Sequence, residues 1–196
     1  MGAAFPPPPF SAEREAAMAT LISERTLWLI VHGIVLGSAF LLAFSAGLLG
    51  LVSYGWDTTW LHKDLHRFLH RLRHGIWITA LLSWVIVLTG SGILGPWYYA
   101  APPPGADLTD YPRAYLLSSP ELRAWHTFGM EWKVNISWLT PVLTTSVAFI
   151  AFAYGRHLTH DRILRRVTIG LFTLAFLLTG IAAMLGVLVA KIAPLK

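Results

Sequence analysis

The sequence contains no cysteine, which excludes disulfides, iron–sulfur ligation, Cys-x-x-Cys-His attachment of haem and thiol catalysis. Charge is scarce as well. Asp, Glu, Lys and Arg make up 13% of the 196 residues, against roughly a quarter in an average soluble domain. There is no Gly-rich phosphate loop, no Gly-x-Ser-x-Gly elbow and no His-Glu-x-x-His pair, so the usual signatures of nucleotide-binding, hydrolytic and metalloprotease chemistry are missing. Nor does any Asp, Glu, Lys or Arg interrupt the four long apolar runs, which argues against a carboxylate proton relay or ion-coupled transport.

Hydrophobic residues make up 55% of the chain and concentrate in those runs, 26–56, 75–106, 134–155 and 167–190. Each is long enough for a helix to cross the roughly 30 Å of a bilayer's hydrocarbon, which takes about 20 residues. The pattern predicts an all-α integral membrane four-helix bundle, with spans at about 27–54, 75–96, 134–155 and 167–190. A Pro-rich N-terminal segment, 1–25, precedes the transmembrane domain, 26–196, and 97–133 forms its long connecting loop. Phe5-Pro6-Pro7-Pro8-Pro9-Phe10 does not read as a cleavable signal and is expected to be retained; Ser11 would cap a short interfacial helix after it.

Lys63, Arg67, Arg71 and Arg73 follow the first run, and Arg156, Arg162, Arg165 and Arg166 follow the third. Basic loops stay on the cytoplasmic side, so both termini and the 97–133 loop are expected on the other side, in a bacterial inner membrane. The formal charge of +5 is then explained by topology and anionic lipid. No aromatic-basic motif supports a nucleic-acid partner.

The eight histidines are the informative polar residues. His32 lies inside the first run, where an imidazole needs a ligand or a hydrogen bond. Either a cofactor or a backbone carbonyl, Ser or Thr of another helix would serve. His62, His66, His70 and His74 recur every four residues, giving one helical stripe that leads into the second span. That stripe reads as an amphipathic headgroup helix, as the source of an axial ligand in His70 or His74, or as a zinc or copper site, although two ligands do not specify a metal. His126 stands outside the third run on a helix expected to start at Ser119-Pro120-Glu121 and continue into the span. His157 and His160 sit in the turn before the fourth run, where solvated loop residues are the plain alternative.

Combined with the topology, His32 and His126 fall at one side of the membrane, and His74 (or His70) and His160 at the other. Two bis-histidine b-type haems stacked across a four-helix bundle would require this. The layout, with Val31-His32-Gly33-Ile34 opening the first helix, resembles the cytochrome b-561 class of diheme membrane electron carriers. That resemblance implies one or two haem b groups, iron ligation by His32, His126, His74 and His160, and electron transfer within a respiratory or photosynthetic complex. Quinone is a plausible donor or acceptor for such a carrier. With haem present, Arg71 or Arg73 on the inner side and Lys133 on the outer side could pair with its propionates. His126 lies eight residues, about 12 Å, before the third run, so pairing with His32 requires one helix to be displaced. A haem-free structural subunit of a multi-protein complex is the competing reading.

Overall fold

The computed structural model describes residues 23–53 and 65–193, with Leu65 described in its backbone only. The Pro-rich segment, its expected Ser11-capped helix, His62 and Lys63 lie outside these residues. Four helices among those described are long and apolar enough to span a membrane: α1 (Glu24–Ser53), α2 (His66–Tyr99), α3 (Pro120–Ala153) and α4 (Arg162–Ile192). The chain is an all-α, four-helix membrane bundle. "Outer" below denotes the end where α2 connects to α3.

Local chemistry sets the helix starts. Ser23 caps α1 by accepting from the Thr26 amide at 3.1 Å. Asp161 caps α4 with one carboxylate oxygen, accepting from the Ile163 and Leu164 amides at 2.9 Å each. Such caps satisfy amides that have no intrahelical acceptor. Ser119 occupies the expected position before α3, with extended backbone and Pro120 in the first turn, but its hydroxyl makes no cap bond. The helices also run past the uncharged runs. α2 begins within the histidine stripe, and α3 begins 14 residues before Val134, because polar residues outside the hydrocarbon continue the backbone ladder.

The spans are not uniform α-helices. Wider π-helical turns occur at Ile30–Leu36 in α1, Gly90–Leu94 in α2 and Trp125–Glu131 in α3. In α2 the Gly95 amide reaches back to the Gly90 carbonyl, one residue further than in an α-helix, and Pro96 follows with no amide to donate. The wider turn relieves the clash that a proline imposes on the preceding turn. Buried Pro141 similarly explains the break of α3 at Trp138.

Packing is closest between α2 and α3, α1 and α2, and α3 and α4. The inner core is apolar, built around Phe44, Ile76, Val147 and Phe172. Phe44 stacks on Phe172 at 4.6 Å and on Phe176 at 4.3 Å. A side chain at Gly47 would approach the Phe172 ring at 3.1 Å, so glycine allows α1 to come this close to α4. Hydroxyl pairs join the helices: Ser83 Oγ to Thr144 Oγ1 at 2.8 Å and Thr179 Oγ1 to Thr140 Oγ1 at 3.1 Å. The connection between α2 and α3 folds back on the outer end, where Leu116 joins Tyr98, Met130, Val189 and Ala193 in a second core. Gly105 makes its reversal, with the positive φ of 78° that glycine accommodates most easily.

Candidate functional site at the outer end

Among the described residues the three π-helical turns all lie in the outer half of the bundle, and each carries or touches a candidate residue. His32 is in the α1 turn. Its Nδ1 lies 2.9 Å from Thr89 Oγ1. Thr89 Oγ1 also lies 2.8 and 3.0 Å from the Val85 and Ile86 carbonyl oxygens; these can only accept, so with its single proton given to one of them Thr89 accepts from His32. The hydrogen-bond network therefore assigns the proton to Nδ1 and leaves Nε2 as an acceptor. The ring lies on Gly90, where an added Cβ would sit 2.9 Å from Cε1. This is the Ser/Thr partnership that the sequence left open for His32.

His126 is buried in the α3 turn. Its Nδ1 meets the Tyr98 hydroxyl at 2.9 Å, and its Nε2 lies 3.6 Å from Glu131 Oε1. The same carboxylate oxygen accepts from the Tyr99 hydroxyl at 3.0 Å, and the Arg113 guanidinium lies over the Tyr99 ring at 5.6 Å. With Nε2–H toward Glu131, Nδ1 accepts from Tyr98. Tyr98, His126, Glu131 and Tyr99 thus form a polar chain that ties the end of α2 to the start of α3.

This geometry overturns the haem assignment. His32 is held beside Thr89 and His126 beside Tyr98, nine positions further along α2, which is about 13 Å at 1.5 Å per residue. Both ring nitrogens of His126 face protein partners, leaving neither for an axial bond. At the inner end His70 and His74 are exposed neighbours on one helix, their rings 4.1 Å apart, with His74 Nδ1 bonded to the His70 carbonyl oxygen at 2.7 Å. His157 and His160 are exposed in the turn before α4. Among the described residues no group of three or more His, Cys, Asp or Glu could hold a metal ion. Haem b, in one copy or two, is therefore withdrawn as a cofactor, together with the quinone exchange expected of it.

The basic residues assigned to propionates have other positions. Arg71 is exposed. Arg73 donates from Nε to the Ala151 carbonyl at 3.0 Å, packs on Gly155 and lies over the Phe152 ring at 5.6 Å. It thereby closes the C-terminus of α3, where unsatisfied carbonyls favour a cation. Lys133 lies along α4, its stem over Gly186.

No protein family, curated protein or solved structure matches the chain. The resemblance to cytochrome b-561 proteins extends to the four-helix membrane architecture and no further. Sequence reasoning missed Thr89, Tyr98 and Glu131, because each acts through a partner on another helix or beyond the next turn. The one local signal was the cluster of aromatic and acidic residues around His126.

Proposed function

We propose that the protein is a haem-free membrane subunit of a multi-protein complex, an anchoring and packing component rather than a catalyst. The observation that carries this reading is the uncovered state of α1. In its most apolar stretch 11% of residues are buried, against 28, 33 and 22% in α2, α3 and α4. The outer half of α1 exposes Ile34 and Val35, and Gly33 and Gly37, one helical turn apart, have open space where side chains would project. Small residues on an open helix face allow another helix to approach closely, which is the main source of helix association in lipid. The histidines support the same reading, since His32 and His126 are engaged in holding helices together. The basic inner loops support placement in a bacterial inner membrane with both termini outside.

The test is the size and composition of the particle extracted from native membranes in mild detergent. The protein should elute with at least one other polypeptide in fixed ratio, and Gly33→Leu with Gly37→Leu should release it as a folded single chain. A wild-type protein that elutes alone, or only with copies of itself, would overturn the proposal.

A further inference from the structure

The formal charge of +5 belongs to one end of the molecule. The inner stretches 54–74 and 154–166 hold eight Lys and Arg against three Asp, a surplus of five, whereas the rest of the chain holds seven of each sign and is neutral. The count takes in every residue of the connection between α1 and α2, so pairs formed within that connection leave the surplus unchanged. Of the three acids, Asp161 is engaged in capping α4. Five of the eight histidines, His66, His70, His74, His157 and His160, are exposed at the same end.

α2 carries part of this charge clear of the membrane. Trp77 is 45% exposed, and Trp97 lies 20 residues further along α2, about 30 Å at 1.5 Å per residue, which is the thickness of the hydrocarbon layer. Tryptophans favour both boundaries of that layer. From Trp77 the α-helix continues unbroken past His66, so Arg71, His70 and His66 stand about 9, 10 and 16 Å beyond the inner boundary. Headgroups occupy roughly 5–7 Å on each side, which leaves these three residues in water. The extension does not lie along the headgroups as an amphipathic surface helix would, because Leu69 and Leu72 on its apolar side are buried in the inner core together with Leu158. The turn between α3 and α4 packs beside it: Arg73 donates to the Ala151 carbonyl and lies against Gly155. The exposed Arg156, His157 and His160 of that turn share this end of the bundle with His66, His70 and Arg71.

We propose that the inner end of the bundle, through His66, His70 and Arg71 of α2 and Arg156, His157 and His160 of the turn between α3 and α4, docks an acidic segment of a protein in the adjoining aqueous phase. Guanidinium groups match carboxylates in shape as well as charge, and a surface standing past the headgroups meets water-borne partners before lipid. This surface is separate from the open face of α1, so the inference holds or fails independently of the assembly reading. The test is titration of the full-length protein in phosphatidylcholine nanodiscs with a fluorescent decaglutamate peptide, and with decaglutamine as its neutral counterpart. Decaglutamate should bind and decaglutamine should not. Each exposed Arg–carboxylate pair is worth about 1.5- to fivefold in affinity, so Arg71→Gln with Arg156→Gln should weaken binding by about two- to thirtyfold. Arg123→Gln, an exposed change at the outer end, should leave it as in the wild type. The comparison of the two peptides needs no variant, so the proposal stays open to refutation even if the double variant fails to fold. Equal behaviour of the two peptides, unchanged affinity in the folded double variant, or an equal loss in Arg123→Gln would overturn it. Abolition of binding when the nanodiscs contain phosphatidylglycerol would also overturn it, in favour of a surface covered by anionic lipid.

Discussion

Replacing Thr89 by Val keeps the shape of the side chain and removes the acceptor for His32 Nδ1–H, which lies 2.9 Å away. The donor would then be left between α1 and α2 without that partner. In aqueous proteins an unsatisfied buried donor costs about 1–3 kcal/mol. In membranes interhelical hydrogen bonds average about 0.6 kcal/mol and reach about 1.7, because a chain unfolded within lipid also finds partners. His32 is only partly buried, so Thr89→Val should cost about 1 kcal/mol, between these two scales. His32→Phe combined with Thr89→Val should show a coupling of similar size, since each single change removes the same bond. Reversible unfolding in mixed micelles, followed through the fluorescence of the nine tryptophans, measures both quantities. Nitrogen NMR of labelled histidine should find the His32 proton on Nδ1 in the wild type. Wild-type stability in Thr89→Val with strict additivity in the double variant would refute the pairing, as would a proton on Nε2 alone.

Three further outcomes are expected. Ser83→Ala and Thr144→Val together should show a coupling of about 0.6 kcal/mol and no more than about 1.7, because the two buried hydroxyls bridge α2 and α3 at 2.8 Å; the same unfolding assay reads it. Phe172→Ala should leave a void of roughly 100 Å³ and cost about 2.4 kcal/mol at about 24 cal/mol per Å³, with the transfer contribution largely absent because the unfolded helix stays in lipid. Full stability would show that α1 and α4 collapse onto the gap. Tyr98→Phe should raise hydrogen exchange in the Trp125–Glu131 turn and leave the inner half of the bundle protected, since it removes the hydroxyl facing His126; unchanged exchange in that turn would mean the polar chain does not hold it.

The legible part of the site was its inventory. An imidazole flanked by Leu29, Ile30 and Val31 has to find a partner, whatever the fold, and that requirement could be read before any helix was placed. Which partner it finds could not, because Thr89 is one of several hydroxyls on α2 and only helix register selects it. The haem reading failed for a related reason. Charge places His32 and His126 on the same side of the membrane, but side is a coarse coordinate, and nine residues of offset along α2 fit within it. Arg73 shows the same limit, since a basic residue near a helix end reads as a headgroup or propionate partner until the fold brings the Ala151 carbonyl to it.

Hydrophobic length, the absence of charge within four runs and the placement of Lys and Arg determined by themselves that this chain forms a four-helix membrane bundle, because lipid demands a closed backbone ladder of fixed length. Only the tertiary structure decided what the polar residues do inside it. It directs Arg73 to the end of α3, His32 to Thr89, His126 to Tyr98 and Glu131, and lays the stem of Lys133 beside Gly186. Those outcomes depend on rotation and axial offset between helices, and in lipid these are set by close packing at small residues and by hydroxyl contacts rather than by hydrophobic pattern.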